Sequence, residues 1–199
     1  MKNLLLSLPF IFTLIFSTGC SPQKSPENGT GLLTGDELEH YTSQFGLPLD
    51  QVKENLAFSD LTLTDDALGI WQTSEKRAVN GLEFSLLLYE NPYDGSLYRY
   101  SYGFGAPDET VLETGFSIAS QAMEAYGSPS TYPGISTGIF NEEGKPKEPD
   151  PSEEFFCETW QISEEVQFKL SIFLTEEQNI INLEYSNEPA EWQPRPRKK

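Results

Sequence analysis

Apolar and polar positions along this chain change period several times, and each change marks an element. Thr34 and Glu37 form a T-x-x-E capping box, after which Leu38, Tyr41 and Phe45 fall on one helical face. Gly46 fits a left-handed cap and Pro48 blocks continuation. A second short helix is predicted over 49–57, with Val52 and Leu56 on one side. The period then drops to two. A strand is predicted over 68–74 around Trp71. In LEFSLLLYE, Leu82, Phe84, Leu86 and Leu88 share a face, with Ser85, Leu87 and Tyr89 on the other. In SLYRYSYGF, Tyr98, Tyr100, Tyr102 and Phe104 share one side, while Arg99, Ser101 and Gly103 point away. Helical spacing returns at a second capping box, Thr110 and Glu113, and runs through Leu112, Phe116, Ala119, Met123 and Tyr126 to Gly127 and Pro129. The Pro-, Gly- and acid-rich stretch that follows, to Glu153, reads as a surface loop. FFCETWQIS, VQFKLSIFL and NIINLEYSN are three further strand candidates; the middle one presents Lys169, Ser171 and Phe173 on its polar side.

Three features recur in the same order. FGLP (45–48) matches YGSP (126–129) at a helix end. Trp71-Gln72-Thr73-Ser74 matches Trp160-Gln161-Ile162-Ser163, and LEFSLLL matches VQFKLSI. Their shared order predicts a divergent tandem repeat of one helix plus three strands, with units 34–106 and 107–188. The expected fold is α+β: an antiparallel sheet of about six strands with helices covering one face.

The first nineteen residues read as a signal peptide, because the apolar run Leu4–Phe16 behind Lys2 is too short for a comfortable span. Ser17-Thr18-Gly19-Cys20 closes it and resembles a bacterial lipoprotein signal. That resemblance implies lipidation of Cys20, cleavage before it, and palmitate-type acyl chains that hold the protein on the outer surface of a membrane, facing the cell surface or the periplasm. Residues 20–33 then form a lipidated cysteine and flexible tether, 34–188 the α+β domain, and 189–199 a basic, proline-containing tail.

Charge narrows the partners. A net charge of −18 disfavours nucleic acid and anionic lipid surfaces. The tail is the exception, with Arg195, Arg197, Lys198 and Lys199 clustered behind prolines. With Cys20 lipidated, Cys157 is left over among aromatic residues, which fits a buried thiol; a reactive thiol or an intermolecular disulfide stays open.

Two further resemblances bear on function. Gly46, Val52 and Leu56 in GLPLDQVKENL resemble the opening of the small lipoprotein of the outer-membrane β-barrel assembly machine, which implies an envelope-assembly role. The doubled helix-and-strand unit is similar in outline to the β-lactamase inhibitor proteins, which implies a partner protein bound on a concave sheet face.

Chemistry is sparse. His40 stands without a second histidine or cysteine at metal-ligand spacing, and no G-x-S-x-G places a nucleophile. The pairs Asp65-Asp66, Glu142-Glu143, Glu153-Glu154, Glu164-Glu165 and Glu176-Glu177 fall in expected turns, where water keeps carboxylates ordinary. A glycan hydrolase using two carboxylates is the enzymatic alternative. The better-supported expectation is a binding module with no catalytic residue, metal or cofactor, for a protein or an envelope polymer such as polysaccharide. Its candidate contacts are Leu87, Tyr89, Tyr98, Arg99, Tyr100, Tyr102, Lys169 and Phe173. The tyrosines enter as aromatic anchors; if they instead form the core face, Leu87, Tyr89, Arg99, Lys169 and Phe173 carry the contact.

Overall fold

A computed structural model of the protein describes residues 32–33, 35–107, 110–131, 138–148, 150 and 152–187. Cys20, the capping residue Thr34 and the basic tail lie outside the described residues. The elements run α1 (Gly35–Thr42), α2 (Leu49–Asn55), β1 (Thr62–Asp65), β2 (Ile70–Val79), β3 (Leu82–Glu90), β4 (Leu97–Ala106), α3 (Thr110–Tyr126), β5 (Ser130–Thr131), β6 (Phe155–Gln161), β7 (Gln167–Phe173) and β8 (Asn179–Ser186). The fold is α+β with an antiparallel sheet. Among the described residues the strand order is β1-β2-β3-β4-β8-β7-β6-β5. The six strands expected from the alternation are β2–β4 and β6–β8. Two edge strands add to them: β1, whose side chains are mostly exposed, and the two-residue β5. Neither edge is long or apolar enough to register as alternation.

One face of the sheet carries the core. Phe84, Leu86 and Leu88 of β3 join Phe168, Leu170 and Ile172 of β7 and Ile181, Leu183 and Tyr185 of β8 in a single buried cluster. Helix α3 lies over β4, β6, β7 and β8. It packs tightly on the sheet at Gly115, where an added Cβ would stand 2.3 Å from Ile172 Cδ1. A side chain there would have to displace the buried Ile172. Leu38 and Tyr41 of α1, Val52 of α2 and the following Leu56 pack on the same cluster, and Phe45 stacks on Tyr100 at 5.0 Å.

Three expectations change. Helix α1 stops at Thr42, before Gly46; Gly46 instead holds a left-handed turn (φ 82°) whose N–H donates to Leu97 O at 2.8 Å, tying the turn to β4. Leu32 and Leu33, assigned to the tether by their sequence setting, are buried. The Leu33 amide donates to Tyr185 Oη and its carbonyl accepts from Tyr126 Oη, each at 2.9 Å, while Arg77 donates to Leu32 O. The domain therefore starts at least two residues earlier than its capping box. The stretch after α3 is also not wholly a surface loop. Ile139 is fully buried, and Phe140 meets Trp160 edge-on.

That loop is latched by a carboxylate. Glu158 sits on the core side of β6, opposite Leu170, and its Oε1 accepts from the Ile139 amide at 2.7 Å. Burial pushes the Glu158 carboxyl above its ordinary value; the amides of Ile139 and Phe140 and the charge of Lys147 only partly offset it. Over pH values between the ordinary carboxylate value and the raised folded one, the folded chain keeps a proton that the unfolded chain has released. This group's contribution to stability therefore falls as pH rises through that window. Glu158→Gln keeps an acceptor for Ile139 and removes the titration. Urea unfolding from about pH 4.5 to neutrality should give a flatter stability profile in the variant, at or above wild type at the neutral end. An unchanged profile would contradict the latch.

Candidate functional site on the open face of the sheet

Strand alternation that sends apolar side chains towards the helices sends the remainder to the opposite face. There β3 presents Ser85, Leu87 and Tyr89, β4 presents Ser101, and β8 presents Asn182, Glu184 and Ser186. Strand β7 adds Gln167, Lys169, Ser171 and Phe173. Ser101 stands opposite Leu87 on one side and Glu184 on the other, and Glu184 stands opposite Lys169. These four make one row across the middle of the sheet.

The β3–β4 ladder breaks at one point. Tyr89 pairs with Arg99, but Glu90 pairs with Leu97, so Tyr98 is an extra residue in β4. This bulge turns Tyr98 onto the open face beside Arg99 and re-aims both side chains. The row Tyr98, Tyr100, Tyr102 is therefore split. Tyr100 and Tyr102 belong to the helix-side core, and burial holds both phenols well above their ordinary range. Both, expected as candidate contacts, are instead buried on the helix side of the sheet. Tyr98 joins Ile70, Leu87 and Tyr89 in a second, smaller apolar cluster.

An ionic network occupies the centre. Glu184, 5% exposed, receives Arg99 Nη1 on Oε2 at 3.2 Å and Lys169 Nζ on Oε1 at 2.8 Å. The Arg99 guanidinium lies 3.9 Å from the Tyr89 ring centroid and donates to Tyr98 Oη at 3.2 Å. Tyr89 Oη and Ser101 Oγ are 3.3 Å apart. Burial alone would lower the Lys169 pKa. The adjacent Glu184, through its charge and hydrogen bond, more than reverses that and holds the ammonium above its ordinary value. Burial raises the Tyr89 phenol, while the Arg99 charge pulls it back in part.

Space for a ligand opens beside this network. Gly103 faces outwards between Ser85 and Asn182, and a Cβ there would meet nothing within 4 Å. Phe173, 40% exposed, stands farther along the same face of β7, stacked on Phe155 at 4.6 Å. The face thus carries two cations on one carboxylate and an exposed aromatic stack, in a strongly acidic chain. It suits an anionic or hydroxyl-rich group held against an aromatic surface.

The remaining candidates lie elsewhere. His40 is exposed on α1, against Tyr41. Cys157 is buried on the open face with Ser171 Oγ 3.7 Å from its sulfur, and burial pushes the thiol pKa up, away from the thiolate. The acidic pairs occupy turns and loops, except that Asp65 ends β1, where it caps the following turn through the amides of Ala67 and Leu68. Among the described residues no group of three or more His, Cys, Asp or Glu is placed to hold a metal ion. No described helix is long and apolar enough to cross a membrane. Glu184 is the residue that a search for adjacent acids passes over. Its signal was a lone carboxylate inside the alternation of NIINLEYSN.

No protein-family model, no curated protein and no solved structure matches this chain.

Glu184 is the shared counter-ion of two half-buried cations, and removing it strands both charges. Glu184→Ala should cost about 1–3 kcal/mol in urea unfolding, below the 3–5 kcal/mol typical of a fully buried pair because Arg99 and Lys169 keep some solvent. Glu184→Gln should recover part of it by accepting one hydrogen bond. A loss under about 0.5 kcal/mol for Glu184→Ala would mean that the network does not hold the face together.

Proposed function

We propose that this protein is a lipid-anchored extracytoplasmic binding module, tethered through Cys20 and engaging a protein or envelope polymer with the open face of its sheet. The observation that carries the reading is the Arg99–Glu184–Lys169 network beside an exposed aromatic wall, on the face that the helices leave uncovered. Polar groups fixed in place by a buried carboxylate are pre-organised, so a ligand does not have to order them. Phe173 supplies an anchor of the type that concentrates binding energy in interfaces. Leu87, Tyr89 and Tyr98 support the floor rather than contact the ligand, since each is under 9% exposed.

The same reading includes an internal duplication. Strand order is the same from either edge, with α1 and α2 preceding the first set of four strands and α3 the second. Leu86 of β3 and Leu170 of β7 correspond in the matched segments LEFSLLL and VQFKLSI. Their partners are Tyr102 and Leu183, and those two residues pair with each other across β4 and β8, as a local two-fold axis requires. Gly46 and Gly127 hold the same left-handed conformation (φ 82° and 83°), Gly127 directly after α3 and Gly46 in the turn that follows α1. The two Trp-Gln pairs do not support it: Trp71 lies opposite Leu88, far from the β2–β3 turn, whereas Trp160 lies opposite Phe168, near the β6–β7 turn.

Two experiments test this. Metabolic palmitate labelling should be lost in Cys20→Ala, and labelling that survives would sink the anchor. Gly103→Tyr puts a β-compatible ring on the open face at a position where a Cβ meets nothing within 4 Å. The immobilised variant should fold normally yet lose the envelope component retained by wild type. Equal retention by both would place the binding surface elsewhere.

A further inference from the structure

Strand register sets the two halves of the open face in correspondence about the β4–β8 join. In one half, Thr159, Lys169, Glu184 and Ser101 are successive cross-strand neighbours. In the other half, Lys76, Ser85, Gly103 and Asn182 are neighbours in the same order. Glu184 therefore corresponds to Gly103. Where the first half has a carboxylate that holds the Lys169 ammonium at 2.8 Å, the second has no side chain. A cation still stands beside the place: Lys76 reaches over β3, where its Nζ donates to Ser85 Oγ at 2.9 Å. Among the described residues Lys76 has no carboxylate partner. The correspondence follows from register alone, whether or not the halves share an origin.

We propose that the Gly103 position receives a carboxylate carried by the ligand, held by the Lys76 ammonium with Ser85 and Asn182 beside it, and that the ligand is a carboxylated glycan. The assignment rests on the binding reading above and names its ligand class. Glycine in a strand interior weakens the strand and has a short list of causes. Gly103 has no positive φ, so turn geometry does not account for it. Nor does a bulge, since the ladders to β3 and β8 run without a register shift through Gly103. Close approach of a ligand to the backbone is the cause that remains, and a Cβ there would meet nothing within 4 Å. The Lys76 ammonium stands over β3, one strand spacing or about 4.8 Å from Gly103, so a group seated on the glycine lies within its reach.

Three features of the face select a glycan. Ser85, Asn182 and Ser171, cross-strand neighbours around Gly103, present short polar groups that match hydroxyls. Phe173 lies two residues along β7 from Ser171, roughly 12 Å from Gly103 by strand spacing and rise, and offers a stacking surface to a second sugar of the same polymer. A protein partner would call for an apolar contact core, whereas Leu87, Tyr89 and Tyr98 on this face are already under 9% exposed. Net charge narrows the class further. A chain of −18 repels a densely charged polymer, so the fit is to isolated carboxylates rather than to sulfate or phosphate on every repeat.

Calorimetric titration of the full chain in detergent tests this, with oligogalacturonate, its methyl ester and dextran sulfate as probes. The acid should bind wild type, the ester should bind about tenfold more weakly or worse, and dextran sulfate should bind no more tightly than the acid. Lys76→Gln, at an exposed position, should weaken the acid by a similar factor, and Lys76→Arg should keep most of the affinity. Gly103→Glu should abolish binding by supplying the carboxylate from the chain itself. Equal affinity for acid and ester, tighter binding of dextran sulfate, or no effect of Lys76→Gln would overturn the proposal. A second readout needs no ligand. By NMR, the carboxylate introduced in Gly103→Glu should titrate below the ordinary glutamate value of about 4.3, because Lys76 favours its charged form. Titration at or above that value would also overturn the proposal. If the acid does not bind while Gly103→Tyr still blocks retention of the envelope component, the carboxylated glycan is wrong and the binding reading stands. If neither holds, both fall.

Discussion

The antiparallel pairing of β4 with β8 is the constraint on which the rest of the structure depends. It joins strands about 80 residues apart in the chain, and eight residue pairs hold it from Arg99–Ser186 to Ala106–Asn179. Its two faces do different work. On the helix side Tyr100 meets Tyr185, and Tyr185 continues through Phe168 to Trp160, a chain of rings that no helix could order without the sheet beneath it. On the open side the same register sets Ser101 against Glu184 and brings Arg99 and Lys169 to one carboxylate. A slip of one residue would exchange the two faces, burying the charges under α3 and exposing the rings.

This join also explains why the amino-terminal Leu32-Leu33 belongs to the domain. Tyr185 is fully enclosed, and its hydroxyl would be a costly orphan without a partner; the Leu33 amide supplies one. The chain is thereby fixed at its entry by a β8 side chain, and at its exit by the Asn187 bond to β4. Both ends of the described domain are tied to the central strands.

Much of this was legible in the sequence. Alternation in LEFSLLLYE and VQFKLSIFL assigned Leu87, Tyr89, Lys169 and Phe173 to the face away from the helices, because period two leaves only two sides. The bulge was not legible: a single inserted residue at Tyr98 looks like continued alternation, and only the partner strand reveals it. Short edges such as β5 carry too few residues to show a period. Glu158 and Glu184 escaped because a buried carboxylate is recognised by what surrounds it, here the Ile139 amide and two cations, and these come from distant positions. The tandem Trp-Gln pairs misled for the opposite reason: local similarity does not carry register.

The central claim is that the helix-free face of the sheet is the one through which this protein acts. Photo-crosslinking on living cells tests it directly, with a photoreactive residue at Phe173 on that face and another at exposed Glu124 on α3. The account predicts a defined adduct from position 173 and none from position 124. An adduct from 124 alone, or from neither position, would contradict it.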